Sequence, residues 1–255
     1  MNIIVCYKIA PDEQDIVVRP DRSLSFERAE WKIGQYDLNA VEAGVQINEA
    51  VGGKVTALCV GDKNIENSKI KKNILSRGPA ELLLVMDDSL ADAETHQTAA
   101  TLAGAARKAG FDLIICGEGS ADLYAQQVGI QVGEILGVPT VNAVSKIVPK
   151  GNAISVERTL EDEVEVLEIA LPAVVSVTSD INVTRIPGMK DILSAGKKPV
   201  TVWTLEDIAA ADPGERSSME SILAPEEVDR KKIIIEGDSE ESIAAFCQHL
   251  RKELK

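Results

Sequence analysis

The sequence predicts an α/β protein with a doubly wound, mostly parallel sheet, a small antiparallel extension and a C-terminal arm. Three observations carry this. Up to Pro139, short apolar runs alternate with helical patterns that end on glycine or proline. The alternation then gives way to valine-rich segments around an acidic turn, Glu161-Asp162. Beyond residue 204 the composition is mixed until a last helical pattern. Successive βα units of this size fold as crossovers between parallel strands, with helices on both faces.

The elements follow in order. Asn2–Tyr7, Val55–Val60, Glu81–Met86 and Asp112–Cys116 are short apolar runs and read as strands. Asp37 is placed to cap a helix whose Leu38, Val41 and Val45 share a face, ending at Gly52-Gly53. Asn64–Arg77 reads as a second helix and Thr95–Ala109 as a third, stopped by Gly110. A fourth runs from about Leu123 to Leu136, with Val128, Val132, Ile135 and Leu136 as its apolar stripe. Ala153–Arg158 and Glu163–Ile169 read as an antiparallel pair, and Pro172–Thr178 as a strand returning to the main sheet. Ser179–Pro199 is irregular, Val200–Thr204 a strand, and 205–229 an extended arm marked by Pro213-Gly214 and Pro225. Lys231–Ile235 is a candidate last strand. Asp238 is the expected cap of the closing helix, with Glu241 completing a capping box. Residues 1–204 are thus read as the α/β domain, including the segment 181–199, and 205–255 as arm and closing helix.

Composition narrows the function. Lys plus Arg number 27 and Asp plus Glu 41, a net charge of −14 over 255 residues, which disfavours nucleic-acid binding. No apolar run approaches the roughly 18 residues of a membrane span, and Met1–Lys8 does not resemble a signal peptide, so a cytoplasmic chain without stable membrane insertion is expected. The four cysteines form no C-x-x-C, and His96 and His249 have no ligand-like neighbours, so no metal site is expected. No nucleophile has a histidine placed to pair with it, so no catalytic set is expected. Aromatic residues make up 3% of the chain, too few for a flavin pocket of stacked rings inside this chain alone.

In open parallel sheets, ligands bind beyond the carboxyl ends of the strands. Here those ends are Tyr7-Lys8, Val60-Gly61-Asp62 and Cys116-Gly117-Glu118-Gly119-Ser120. Gly117 and Gly119 are expected to let the backbone approach a ligand. Ser120 or Asp122 is expected to cap the following helix, whose start would favour a phosphate, with Gln126 and Gln127 as neutral donors. Gly129, Gly133 and Gly137, four apart, leave one helix face bare for close packing. Neither G-x-G-x-x-G after the first strand nor G-x-x-x-x-G-K-[ST] is present. The acidic cluster Glu161, Asp162, Glu163, Glu165 reads as solvated charge at a hairpin tip. The segment Ile181–Pro199 carries Arg185, Lys190, Lys197 and Lys198 against Asp191, together with Ile186, Pro187, Met189, Ile192 and Leu193. A mobile loop that mixes basic and apolar groups suits docking of a partner.

The run Val156-Glu-Arg158-Thr-Leu-Glu161-Asp162-Glu163-Val-Glu165-Val-Leu167, followed by Pro172-Ala-Val174-Val175-Ser176, resembles the signature of the electron transfer flavoprotein β subunit. The resemblance extends over nearly the whole chain. DEQDIVV, QYDLNA, DLYAQQVG and IEGDS look closest to the branch associated with carnitine metabolism. It implies a Rossmann-like, adenine-nucleotide-binding domain paired as a heterodimer with an α subunit that holds the redox-active FAD. The pair would shuttle electrons between a flavin dehydrogenase, such as an acyl-CoA dehydrogenase, and another redox partner. This subunit would hold AMP, or a second FAD in bifurcating members. The resemblance places nucleotide contacts on Cys6, Gly34, Tyr36, Asp37, Val60, Gly61, Gly117, Ser120, Asp122, Leu123, Tyr124, Ala125, Gln126, Gln127, Val128 and Gly129. It places partner docking on Arg185, Ile186, Pro187, Met189 and Lys190, with Ile186 as the apolar anchor. Many members carry acids on both sides of the helix start, whereas Asp122-Leu123-Tyr124 keeps only the first. The alternative from another class is a stand-alone adenine-nucleotide sensor of the stress-protein type.

Overall fold

The computed structural model describes residues 1–209, 214, 217–228 and 230–254. Strand β1 (Asn2–Cys6) opens the chain. β2 (Ile9–Pro11), β3 (Val17–Val18), β4 (Leu24–Ser25) and β5 (Trp31–Ile33) then form two small antiparallel ribbons, β2 with β5 and β3 with β4. Helix α1 (Gln35–Val51), β6 (Lys54–Gly61), α2 (Ser68–Ser76), β7 (Glu81–Met86), α3 (Thr95–Ala109), β8 (Leu113–Gly117) and α4 (Val128–Leu136) complete the alternating half. β9 (Thr140–Lys150), β10 (Ala153–Thr159), β11 (Val164–Ala170), β12 (Ala173–Val177), α5 (Met189–Ala195), β13 (Val200–Trp203) and α6 (Glu240–Glu253) follow.

Nine strands form one sheet in the order β11-β10-β9-β12-β8-β1-β6-β7-β13. From β9 to β13 every neighbouring pair is parallel, whereas β10 and β11 add an antiparallel extension. The doubly wound reading therefore holds. Ile3, Val5, Leu82 and Leu84 face α1 and α2, where Val41, Val45, Ile70 and Ile74 meet them. Ile4, Leu58, Ile114 and Val174 face α3 and α4 through Ala99, Leu102, Ala106 and Val132. Central strands covered on both faces need continuous apolar runs, which is why ELLLVM and LIICG carry no alternation.

Several elements differ from expectation. Gly34, not Asp37, is the N-cap of α1, and Asp37 lies inside the first turn. The second helix is broken into a 3₁₀ turn at Lys63–Glu66 and α2, because Asn67 accepts hydrogen bonds from the N–H groups of Lys69 and Ile70 and restarts the helix. Helix α4 starts at Val128, not near Leu123, and neither Ser120 nor Asp122 caps it. Tyr124 (φ +48°) and Gln126 (φ +56°) adopt left-handed conformations that a right-handed helix cannot include. Strand β9 was not anticipated. Its pairing with β12 slips between Val175 and Val177, and Ala143 has φ +55°. That bulge turns the strand from parallel pairing with β12 to antiparallel pairing with β10. Ser179–Pro199 is not wholly irregular, since it contains α5. Lys231–Ile235 forms no strand. The closing helix is capped by Ser239, whose hydroxyl accepts from the Ser242 N–H, so the Asp238/Glu241 box does not form. Pro213 lies outside the described residues.

The arm touches the body at the β3–β4 ribbon. Leu223 bridges to Ser23, the Ala224 N–H donates to the Arg22 carbonyl at 2.9 Å, and Arg22 pairs with Glu226 at 3.2 Å.

Candidate functional site

The carboxyl ends of β1 and β8 bring the first group of expected residues together. Cys6 and Cys116 end neighbouring strands on the same face and are both buried. Contact with the Cys116 side chain, followed by burial, raises the Cys6 thiol well above its usual range. A thiol held this way packs as a small apolar group rather than reacting. Asp37 reaches across from the first turn of α1. It is 7% exposed, and its carboxylate accepts the Lys8 N–H at 2.8 Å and the Gly117 N–H. Burial pushes its pKa up to about 7, against the opposing pull of Lys8 and those N–H groups. Lys8 Nζ reaches Asp122 at 2.6 Å and ties the end of β1 to the loop after β8. Burial opposes the charge of Asp122, but the Lys8 ammonium and the Ser120 hydroxyl hold its carboxyl below the usual range.

The glycines of this loop serve a different purpose from the one expected. A Cβ on Gly117 would lie 2.6 Å from Asp37 Oδ1 and 2.9 Å from the Tyr36 backbone carbon. A Cβ on Gly119 would run into the Tyr124 ring. Both therefore make room for the chain's own side chains rather than for an incoming ligand. Tyr124 lies 5.3 Å from Tyr36, centroid to centroid, with the rings tilted by 43°. Its hydroxyl donates to Glu118 Oε1 at 2.9 Å, and Gln126 Nε2 donates to the same oxygen at 2.5 Å.

Residues 121–127 are all exposed, so Asp122, Leu123, Tyr124, Ala125, Gln126 and Gln127 form an open shelf. At its far side α4 begins without a side-chain cap, while Gln127 accepts from the Thr95 hydroxyl at 2.9 Å. The expected close packing of α4 is present at Gly129 and Gly133 but not at Gly137, which has nothing within 4 Å of an added Cβ and ends the helix in the left-handed region (φ +69°). A Cβ on Gly129 would strike Ser176, and one on Gly133 would strike Thr140. Val60, on β6, packs into the cluster containing Cys6 and Cys116. Gly61 instead turns toward the 3₁₀ segment, where Ile65 would sit 2.8 Å from an added Cβ.

The second group, 181–199, is anchored at its start. Asn39 and Asn182 form a reciprocal amide pair: Asn39 Nδ2 donates to the Asn182 carbonyl at 2.9 Å, and Asn182 Nδ2 to the Asn39 carbonyl at 3.0 Å. Arg185 turns inward to α1. Its Nε meets Glu42 at 2.7 Å and its Nη1 meets Glu49 at 2.8 Å. Val183, Ile186, Met189 and Leu193 stand 92, 92, 75 and 69% exposed. The basic and apolar groups therefore separate. Arg185 serves the fold, while Ile186 and Met189 project, and Pro187 and Lys190 flank them. No signal in the sequence pointed to Glu42, Glu49 or Asn39 as partners of this segment, because contacts 136–143 residues apart leave no local pattern. Glu161, Asp162 and Glu163 are exposed at the tip between β10 and β11, as solvated charge should be, whereas Glu165 is half-buried on β11 and pairs with Arg158 at 3.2 Å.

Among the described residues, no helix is long and apolar enough to cross a membrane. Residues 23–208, well over half of the chain, match the model of a family described as the electron transfer flavoprotein domain.

Proposed function

The chain belongs to the electron transfer flavoprotein family, whose members are electron carriers, and we propose that it is the β subunit of a heterodimeric carrier. Its α partner holds the redox-active FAD, and the pair moves electrons between a flavin dehydrogenase of the acyl-CoA dehydrogenase type and another redox partner. Helix α6 carries this reading. Ile243, Phe246, Leu250 and Leu254 form one helical stripe, between 43 and 77% exposed, and no residue of the helix is buried. An apolar stripe at this period needs cover, and the described residues of this chain supply none. A second chain completes the arm, and we read 205–255 as the segment that reaches it and 1–204 as the domain that stays behind.

The shelf supports the nucleotide half of the reading. Tyr36 and Tyr124 offer ring faces to a purine, while the first N–H groups of α4 offer the positive end of the helix dipole to a phosphate. Cys6, Val60 and Asp37 form the floor beneath them. Because 121–127 are exposed, the other wall comes from the partner, and AMP or a second FAD lies at the boundary between subunits. The flavin supplies the electron chemistry, and this chain binds and orients without a catalytic residue of its own. We place the protein in the cytoplasm, in the branch associated with carnitine metabolism. A stand-alone nucleotide sensor is not favoured by the family match.

Co-expression with an α subunit of the family, followed by release of bound nucleotides, tests the reading. One FAD with one AMP per heterodimer is expected for simple transfer, and two FAD for the arrangement with a second flavin. A colourless homodimer saturable by ATP would overturn it.

A further inference from the structure

We propose that Arg185 is a positioning residue, which with Glu42 and Glu49 forms a clamp that presets the shape of the projecting segment Val183–Met189. This rests on the reading of that segment as the docking surface, and it adds what makes the surface rigid before a partner arrives.

The segment has little packing of its own. Val183 and Ile186 are each 92% exposed, so apolar burial cannot fix the backbone between them. Polar contacts do. The Arg185 guanidinium meets Glu42 as a fork, Nε to Oε2 at 2.7 Å and Nη2 to Oε1 at 3.0 Å. It meets Glu49, two turns further along α1, through Nη1 at 2.8 Å. The Arg185 N–H also donates to Glu42 Oε2 at 3.1 Å, and its carbonyl accepts from Arg77 Nη1 at 2.8 Å. Donor, acceptor and side chain of this one residue are therefore all held, by α1 on one side and the end of α2 on the other. A planar fork on a carboxylate fixes direction as well as distance.

The electrostatics agree with the geometry. The Glu42 and Glu49 carboxylates hold Arg185 further in its charged form, above its usual range. Burial opposes the charge on Glu42, yet its bonds to Arg185 keep it below the usual carboxylate range. Two guanidinium groups face two carboxylates, so the cluster is close to neutral and contributes little to long-range steering. Arg185 acts on the partner through the shape of the segment rather than by charge.

The consequence is a matter of populations. A docking segment that visits its binding shape only part of the time loses apparent affinity in proportion, while the electron-transfer step after docking is unchanged. Loss of the clamp should therefore raise KM and leave kcat alone.

The test uses the assembled heterodimer with a purified acyl-CoA dehydrogenase as electron donor. Arg185→Gln is expected to raise KM for the heterodimer about tenfold with kcat within about twofold, if the docking shape falls to about a tenth of the population. Arg185→Lys keeps the charge but not the fork and should fall between. Glu49→Gln, at an exposed position, should raise KM less and is the variant to read if Arg185→Gln fails to fold. Amide hydrogen exchange at residues 183–188 should quicken in the same order. If Ile186→Ala and Met189→Ala raise KM while Arg185→Gln and Glu49→Gln leave KM and exchange unchanged, the clamp is refuted and the docking surface stands. If none of the four changes KM, the docking reading fails and the clamp with it.

Discussion

Asp37 shows what a single residue does at the end of this sheet. Its carboxyl has a pKa of about 7, against an ordinary value of 3.8, because burial penalises the charge. Between about pH 4 and 7 the folded chain therefore keeps a proton that the unfolded chain has released. The contribution of Asp37 to stability is complete below about pH 4 and is lost as pH rises through 7, a change on the order of 4 kcal/mol at 1.36 kcal/mol per unit. Asp37→Asn removes the titration, although its amide must set an N–H against the Gly117 or Lys8 donor. Urea unfolding should show the wild-type advantage over Asp37→Asn shrinking as pH is raised from 5 to 8, and a flat difference would mean that Asp37 does not titrate there. Gly117→Ala makes a separate prediction. Its new methyl meets the Tyr36 backbone, which cannot yield cheaply, so a loss of about 1–3 kcal/mol is expected by denaturant unfolding even without nucleotide. Strand-end logic put Gly117 at the ligand-binding edge of the sheet, and the family resemblance put Asp37 among the same nucleotide contacts. Neither could show that they serve each other, because mutual packing of two loops leaves no period in either.

At the scale of elements, legibility followed local physics. β7 and α3 were readable to the residue, since a continuous apolar run and a Gly110 stop are local signals. The start of α4 was not, because Leu123–Gln127 has helix-compatible composition and only the left-handed Tyr124 and Gln126 exclude it. β9 was hidden for a related reason: its bulge at Ala143 breaks the two-residue period, and Pro149 reads as a stop although it sits in the antiparallel half. The closing helix was legible in place, but its cap was displaced by one residue, from Asp238 to Ser239. Its apolar stripe carries the prediction for this scale. Phe246 is 55% exposed, so Phe246→Asp should leave the melting temperature of the isolated chain within about 2 °C, since exposed substitutions seldom exceed about 0.5 kcal/mol. The same change should abolish co-purification with the α subunit, and retained co-purification would remove α6 from the interface.

For the whole molecule, the doubly wound class was the most legible feature, because it rests on the order of elements and not on any boundary. What the order could not convey is how the halves of the proposed function are separated. The shelf stands at the carboxyl ends of β1 and β8, near the sheet centre, while the projecting segment is anchored on α1 and α2. The arm leaves from β13, the edge strand, and returns to the body at the β3–β4 ribbon before α6 begins. Ile186 and α6 can thus engage different molecules. One detail of that layout gives the protein its own optical labels. The chain has two tryptophans. Trp203 ends the edge strand from which the arm departs, with Lys108 Nζ 4.6 Å from its ring centroid, while Trp31 lies on β5, which packs on α2. Replacing either indole with phenylalanine leaves a single emitter, so fluorescence from Trp203 follows the seating of the arm and fluorescence from Trp31 follows events at β5 and α2, without an added dye.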